Sequence, residues 1–110
     1  MSIANENDIA IEIAKITADV DLLFFGDQSK KYASDLVNLA DIKLRIGKLE
    51  EALNLCNRAI EIDDLFADDT TYTSERADTH SVAAAILLQM GQTEKASFHA
   101  VKAKELRANS

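Results

Sequence analysis

The chain has 110 residues, of which 47% are hydrophobic and 28% are charged, and its net charge is −7 at pH 7. This length corresponds to one domain with a single modest core. The chain has no proline and three glycines. That is too little turn punctuation for an all-β sandwich or barrel, so the composition predicts an all-α protein.

The charge balance argues against two classes of partner. Twelve Lys and Arg face nineteen Asp and Glu, and Lys30-Lys31 is the only adjacent basic pair. Nucleic acids and anionic membrane surfaces are bound by clustered positive charge. The longest apolar runs, such as residues 82–88, are too short to span a bilayer. We therefore expect neither nucleic acid nor membrane among the partners.

Two features bear on the compartment. Residues 1–6, MSIANE, lack the basic and apolar regions of a secretory signal. A single cysteine, Cys56, precludes an intramolecular disulfide and a multi-cysteine zinc site. Together they predict a cytoplasmic protein.

The first predicted helix spans residues 8–25. Its large apolar residues recur in steps of three and four, which places them on one face. The members of this stripe are Ile9, Ile13, Ile16, Val20 and then Leu23 or Phe24. Ile11 lies outside the stripe and widens it. Gly26 is expected to end the helix in a left-handed conformation, and Asp27 or Ser29 to cap the next helix.

Two helical hairpins follow, at 29–63 and 75–107, and each turns at a glycine, Gly47 or Gly91. Residues 64–74 connect the hairpins. Aspartates and threonines in this connection suit a turn followed by a helix start. Thr93 is expected to be the N-cap of the last helix.

The two hairpins repeat each other at a spacing of 44 residues. Sliding the chain by 44 places residues 40–62 over 84–106, with eight identities in 23 positions. The recurring residues include Gly47/Gly91, Leu44/Leu88, Ala40/Ala84, Ala52/Ala96 and Ala59/Ala103. The glycines allow a reversal with positive φ, and the first two alanine pairs are small where helices cross. The third pair is expected where the next helix packs.

This pattern resembles the tetratricopeptide repeat over roughly residues 33–107. The first hairpin matches the family motif at Leu36, Leu39-Ala40, Gly47, Ala52 and Ala59, and the second matches more weakly at His80, Ala83-Ala84, Gly91, Ala96 and Ala103. Cys56 stands where the family often has an aromatic residue, and Asp64 replaces the usual terminal proline. The period of 44 exceeds the common one of about 34. It is similar to the long repeats of kinesin light chains and related bacterial proteins.

The resemblance implies a short right-handed solenoid of about five helices, whose first helices line a concave face that binds a peptide or helix. The residues expected on that face are Ser34, Val37, Asp41, Leu44, Arg45, Asp78, Ser81, Ala85, Leu88 and Gln89. Core packing explains Leu44 and Leu88 equally well. The family's carboxylate clamp is absent, because its places hold Val37, Asp41 and Asp78. We therefore expect an adaptor for a protein or peptide of basic or amphipathic character.

The N-terminal helix leaves an alternative open. Two hairpins rarely stand alone, since each buries an apolar face against a neighbour. The helix at 8–25 either caps the first hairpin, folds into the groove, or pairs with a second chain. Phe24 and Phe25 look like its anchors. The alternative function is thus a self-associating structural protein with this helix as a homodimer interface.

Catalytic and metal chemistry have little support in the sequence. Asp78, His80 and His99 suggest a metal site or an enzyme, but metal sites need several converging ligands at suitable spacing. Cys56 lies on an apolar helix face, where a cysteine is usually buried and inert. The aspartates at 63, 64, 68 and 69 lack the central glycine of a calcium loop. We expect no metal, no cofactor and no enzymatic activity.

Overall fold

The structure is a computed structural model that describes residues 5–109. Residues 1–4, which contribute to the expectation about a signal segment, and residue 110 lie outside it. The described chain forms five α-helices: α1 (Glu6–Phe25), α2 (Lys30–Arg45), α3 (Leu49–Asp64), α4 (Thr73–Gln89) and α5 (Thr93–Ala108). One turn of 3-10 helix, Thr70–Tyr72, precedes α4. Residues 5–109 contain no strand, which confirms the all-α prediction with five helices.

Most helix boundaries lie within two residues of the predicted ones, because caps define them. The Asn5 side chain caps α1, accepting from a backbone N–H at 2.9 Å, and the Ser29 hydroxyl caps α2 at 3.0 Å. The prediction that Thr93 caps α5 is wrong. Gln92 is the N-cap residue, and within the described chain its side chain makes no capping bond.

The turns at Gly47 and Gly91 have the same hydrogen-bond geometry. The glycine N–H donates to the carbonyl three residues back (3.1 Å at Gly47, 3.0 Å at Gly91), and the next N–H donates five residues back (2.9 Å at both). This is the Schellman motif, and φ is +82° and +79° at the two glycines. Gly26 also has positive φ, but its ψ of 173° is extended, so the left-handed cap expected there is wrong.

The helices stack in sequence into a flat body of 51 × 37 × 18 Å. Helices α2 and α3 form one hairpin, and α4 and α5 form the other. Helix α4 packs against both members of the first hairpin. Of the described helices, α1 approaches only α2. This is the arrangement of a short helical repeat.

The central core lies where α4 enters the cleft between α2 and α3. Its fully buried members are Ala40, Leu44, Ala52, Cys56, Ala83 and Ile86. The Cys56 sulfur lies 3.4 Å from the Thr79 carbonyl oxygen of α4, so Cys56 contacts the next hairpin. Ala59 lies one turn further on and packs with Ala33 and Leu36 of α2.

Helix α1 packs against α2 through the face that lies opposite the predicted apolar stripe. Its buried residues are Ile11, Ala14 and Ala18, and they pack against α2 at Leu39 and Ile42. Small side chains let the two helices approach closely, so the bulky residues point away. The residues left exposed are Ile9, Ile13, Ile16, Val20, Leu23, Phe24 and Phe25. We call the first six of these the outward face of α1.

Despite this apolar surface, none of the helices in residues 5–109 combines the length and the hydropathy needed to cross a membrane. The stripe alternates with charged residues around α1, among them Glu12, Lys15 and Asp19. Helix α1 is thus apolar on two opposite sides and charged between them.

Replacing Gly47 by alanine tests the repeated turn. No atom lies within 4 Å of the added Cβ, so the effect is conformational rather than steric. Left-handed strain costs about 1–2 kcal/mol, and the stiffer unfolded chain offsets about half of it. We expect Gly47→Ala to lower the free energy of unfolding in urea by about 1 kcal/mol. Gly47→Asn is the control, because asparagine tolerates this conformation, and an equal loss in both variants would contradict the account.

Candidate functional site

A cavity of about 370 Å³ lies between the middle of α2 and the first half of α4. We call it the concave groove. It is lined by Ser34, Asp35, Val37, Asn38, Asp41, Tyr72, Glu75, Asp78, Thr79 and Val82. The 3-10 turn closes one end through Tyr72. Concave surfaces of this kind are the ones that helical repeats use for binding.

The structure brings four of the ten predicted site residues together in this groove: Ser34, Val37, Asp41 and Asp78. Leu44 is only 8% exposed and belongs to the central core. The other five lie outside the groove lining, and these are Arg45, Ser81, Ala85, Leu88 and Gln89. The groove follows the middle of α2 and the first half of α4, whereas the prediction extended to the last turns of both helices.

Six lining residues were missed by the sequence analysis. Steps of three and four from Asp78 lead to Glu75 and Val82, so helical periodicity alone contained the signal for those two. Tyr72 lies in an irregular stretch that has no periodicity to read. Asp35, Asn38 and Thr79 complete the set.

The concave groove is acidic with an apolar floor. Its described lining contains four carboxylates and no lysine or arginine, with Val37 and Val82 between them. Two of the carboxylates have partners at the rim. Asp41 lies 3.4 Å from Arg45, and Asp78 lies 3.0 Å from Arg107. These pairs are largely exposed, so they are weak and open to exchange.

Asp35 is the least solvated of the four carboxylates. Its Oδ2 atom is buried and has no hydrogen-bond partner within residues 5–109. Burial, together with the Asp21 carboxyl of α1, raises the pKa of Asp35 to about 7, against a smaller opposing effect of Lys31. The contact between α1 and α2 therefore prefers a protonated carboxyl group at this point.

Asp35→Asn tests this carboxyl pair. Because the folded pKa of Asp35 exceeds the unfolded value of 3.8, its ionisation costs stability as the pH rises from about 4 to about 7. Asparagine cannot ionise, and its amide donates to Asp21. We expect the variant to gain stability over wild type at pH 8 and to show little gain at pH 4, by urea unfolding at both. An equal difference at the two pH values would contradict the assignment.

A buried polar network holds the wall of the concave groove. Asp63, 3% exposed, accepts hydrogen bonds from the Tyr72 hydroxyl at 2.6 Å and the Thr79 hydroxyl at 2.7 Å. Burial raises the pKa of Asp63, while these two bonds act to lower it. Beside it, Asp64 lies 3.6 Å from Arg76. The end of α3 is thus tied to the start of α4 and fixes Tyr72.

The remaining acidic residues of the connection are also engaged locally. Asp69 caps the 3-10 turn and forms an ion pair with Lys30, whose ammonium lies 5.0 Å from the Phe66 ring centroid and 5.2 Å from that of Tyr72. In the described part of the chain, no group of three or more His, Cys, Asp or Glu is placed to hold a metal ion. Structural contacts therefore account for Asp63, Asp64 and Asp69, three of the four aspartates that were compared with a calcium loop, and the fourth, Asp68, is exposed.

Tyr72→Phe removes one donor from the buried Asp63 carboxylate. An acceptor left without its donor typically costs about 1–3 kcal/mol. We expect a loss of this size in the free energy of unfolding, measured in urea at pH 7. The half-buried Tyr32 provides the matched control, Tyr32→Phe, for which we expect a smaller loss. The network account fails if the two variants lose the same stability.

The two histidines contact each other. Their Nδ1 atoms are 2.9 Å apart and their rings stack with centroids 5.1 Å apart, which joins α4 to α5. Burial and the neighbouring His99 lower the pKa of His80 to about 4, and burial lowers that of His99. The neutral pair shares one proton between the two nitrogens. Asp78, the third member of the doubted metal site, pairs with Arg107 instead.

Cys56 has a structural environment. It is fully buried in the central core, and burial raises the pKa of its thiol to about 12. A thiol in this state supplies almost no nucleophilic thiolate at neutral pH.

A second cavity, of about 270 Å³, lies between α4 and α5 at the C-terminal end of the stack. We call it the C-terminal groove. It is lined by Ala84, Ala85, Leu88, Thr93, Ala96, Ser97 and Ala100. Two predicted site residues, Ala85 and Leu88, belong here rather than to the concave groove.

Comparison with known proteins found a match within the first hairpin. A family model for the tetratricopeptide repeat matches residues 36–64, from α2 through the end of α3. A search of curated proteins and a search of solved structures each gave no match. Repeats of this family generally mediate protein–protein interactions. Residues 36–64 therefore match a tetratricopeptide repeat, within an all-α fold of the same helical-repeat kind.

Proposed function

We propose that this protein is an adaptor that binds a protein segment in its concave groove. The observation that carries the proposal is the groove's combination of the Asp41, Glu75 and Asp78 carboxylates with the valines Val37 and Val82 on its floor. A surface of this kind is complementary to a segment that presents lysine or arginine beside apolar side chains. The repeat match at 36–64 supports the general class of interaction.

The proposed ligand is basic and amphipathic, because the carboxylates of Asp41 and Asp78 at the rim of the groove attract cations. An incoming lysine or arginine replaces Arg45 beside Asp41, or Arg107 beside Asp78, and gains a second carboxylate from the far wall. A C-terminal carboxylate meets only like charge there. The groove has room for a few side chains, so a short peptide or one face of a helix is the proposed form.

Self-association through α1 is the second candidate function. The observation that favours it is the outward face of α1, where Leu23 is 82% exposed and Ile13 is 60% exposed. Contiguous apolar patches of more than a few hundred square ångströms are unusual on monomers and commonly mark interfaces. This candidate and the adaptor use different surfaces, and one protein can have both.

Three further expectations form part of the proposal. The inert Cys56 and the mutually paired histidines support a protein without catalytic activity or cofactor. The buried, unpaired thiol suits a reducing cytoplasmic compartment. Identical turns 44 residues apart support a long-repeat variant similar to that of kinesin light chains.

The experiment compares two libraries of labelled amphipathic peptides, one built on Lys and Leu and the other on Glu and Leu, by fluorescence anisotropy. We expect wild type to select members of the basic library and to lose affinity as salt rises. Glu75→Lys, in the groove, is expected to weaken binding at least about tenfold, or roughly 1.4 kcal/mol. Glu50→Lys, an exposed site on α3, is the matched control and is expected to bind as wild type does.

Two results would overturn the adaptor proposal. One is equal binding of the basic and acidic libraries. The other is an equal loss of affinity in Glu75→Lys and Glu50→Lys, with both variants folded by circular dichroism. The first would remove the charge argument, and the second would remove the groove as the site.

A further inference from the structure

The C-terminal groove is the repeated copy of a surface that is already occupied inside the protein. Adding 44 to the numbers of four central core residues, Ala40, Leu44, Ala52 and Cys56, gives four residues of the groove lining, Ala84, Leu88, Ala96 and Ala100. In the first hairpin this surface receives α4, and Leu44 is 8% exposed. In the second hairpin Leu88 is 62% exposed. The second copy of the cleft thus has the shape of a helix-binding site without its helix.

We infer that the C-terminal groove binds helix α1 of a second copy of this chain. The contact is head-to-tail, with the outward face of α1 on one molecule lying in the α4–α5 cleft of the next. This deepens the self-association named above by assigning the surface that receives α1. It makes no use of the concave groove.

The size and shape of the outward face suit this role. It exposes on the order of 700 Å² of apolar side chain, close to the ~800 Å² per partner of a standard interface. Its residues follow helical spacing over four turns, from Ile9 to Phe24. The groove presents alanines and a serine, with Leu88 at one side. Large branched side chains therefore meet small ones, as they do where Ile86 of α4 packs on Ala40 and Ala52 in the central core.

Charge selects the groove over a second α1 as the binding surface. Helix α1 carries five acidic residues and one lysine, which gives −4. Of the two helices that form the groove, α5 carries four basic and two acidic residues, which gives +2 with His99 neutral, and α4 carries one basic and two acidic residues, which gives −1 with His80 neutral. Two α1 helices face to face bring −4 against −4. An α1 helix against α5 brings opposite charges together.

The interface between the two hairpins shows how charges pair where one helix ends and the next begins. At the joint between hairpins, the last turn of α3 contributes Asp64 and the first turns of α4 contribute Arg76, 3.6 Å apart. At the proposed contact the two charges are exchanged, so that the earlier helix supplies the basic residues and the incoming helix supplies the acidic ones. Lys102 and Lys104 lie in the last two turns of α5, and Glu6 and Asp8 begin α1. An α1 helix seated as α4 is seated places its acidic start beside the basic end of α5.

Head-to-tail contact has a distinct consequence for assembly. Each molecule offers one α1 face and one C-terminal groove, so the contact either closes a ring or extends into a chain. The test uses two variants, each blocked on one surface at an exposed position. Ile16→Glu blocks the outward face of α1, and Ala100→Arg fills the C-terminal groove. Val101→Arg, 54% exposed on the same helix, outside the groove lining and away from the end of α5, is the matched control.

Mass is measured by sedimentation velocity over a range of concentrations, after circular dichroism has shown that each variant is folded. We expect the mass of wild type and of Val101→Arg to exceed the 12.1 kDa of one chain and to grow with concentration. Each blocked variant alone is expected to remain at one chain. Their equimolar mixture is expected to form a complex of two chains, because one intact α1 face then meets one intact groove. Higher salt is expected to weaken this complex.

Three results would overturn the inference. If Ala100→Arg associates as wild type does while Ile16→Glu does not, α1 pairs with α1 and the groove is not its site. If the mixture of blocked variants stays at one chain, the two surfaces do not bind each other. If wild type remains at one chain at every concentration, the surfaces have another occupant, and the adaptor function of the concave groove is unaffected.

Discussion

The insertion of α4 into the cleft between α2 and α3 is the contact on which the rest of the structure depends. It buries Leu44, Cys56 and Ile86 in one cluster and joins the two hairpins. The same insertion sets α4 beside α2 and thereby creates the concave groove. The Asp63 network reinforces it from the connection, fixing Tyr72 as one wall. The candidate binding site is therefore formed by the packing of one hairpin on the other.

The 44-residue repeat explains both the packing between the hairpins and the apolar cleft that is exposed on the second hairpin. The Schellman turns at Gly47 and Gly91 give the two hairpins the same internal geometry, so their outer surfaces resemble each other. The cleft that α4 fills on the first hairpin recurs on the second. At the other end, α1 has an apolar face turned away from α2. A repeat stack that lacks polar caps at its ends is expected to find partners there.

The sequence was most informative where local chemistry decides the outcome. Glycines and the Ser29 cap located the helices, and the 44-residue repeat located the hairpins. Periodicity did not reveal which side of α1 docks, because both of its sides are apolar and the choice depends on how closely Ala14 and Ala18 let α2 approach. The pairing of Asp35 with Asp21 and of His80 with His99 joins residues from different helices. Such contacts follow from the packing angle, which no single helix encodes.

The central claim is that the outward face of α1 on one molecule binds the α4–α5 cleft of another. Hydrogen–deuterium exchange at increasing protein concentration tests it most directly. The account predicts that protection rises with concentration in residues 6–25 and 84–100 together, while residues 49–64 of α3 keep the same protection throughout. Protection that is independent of concentration, or that rises in residues 6–25 alone, would contradict it.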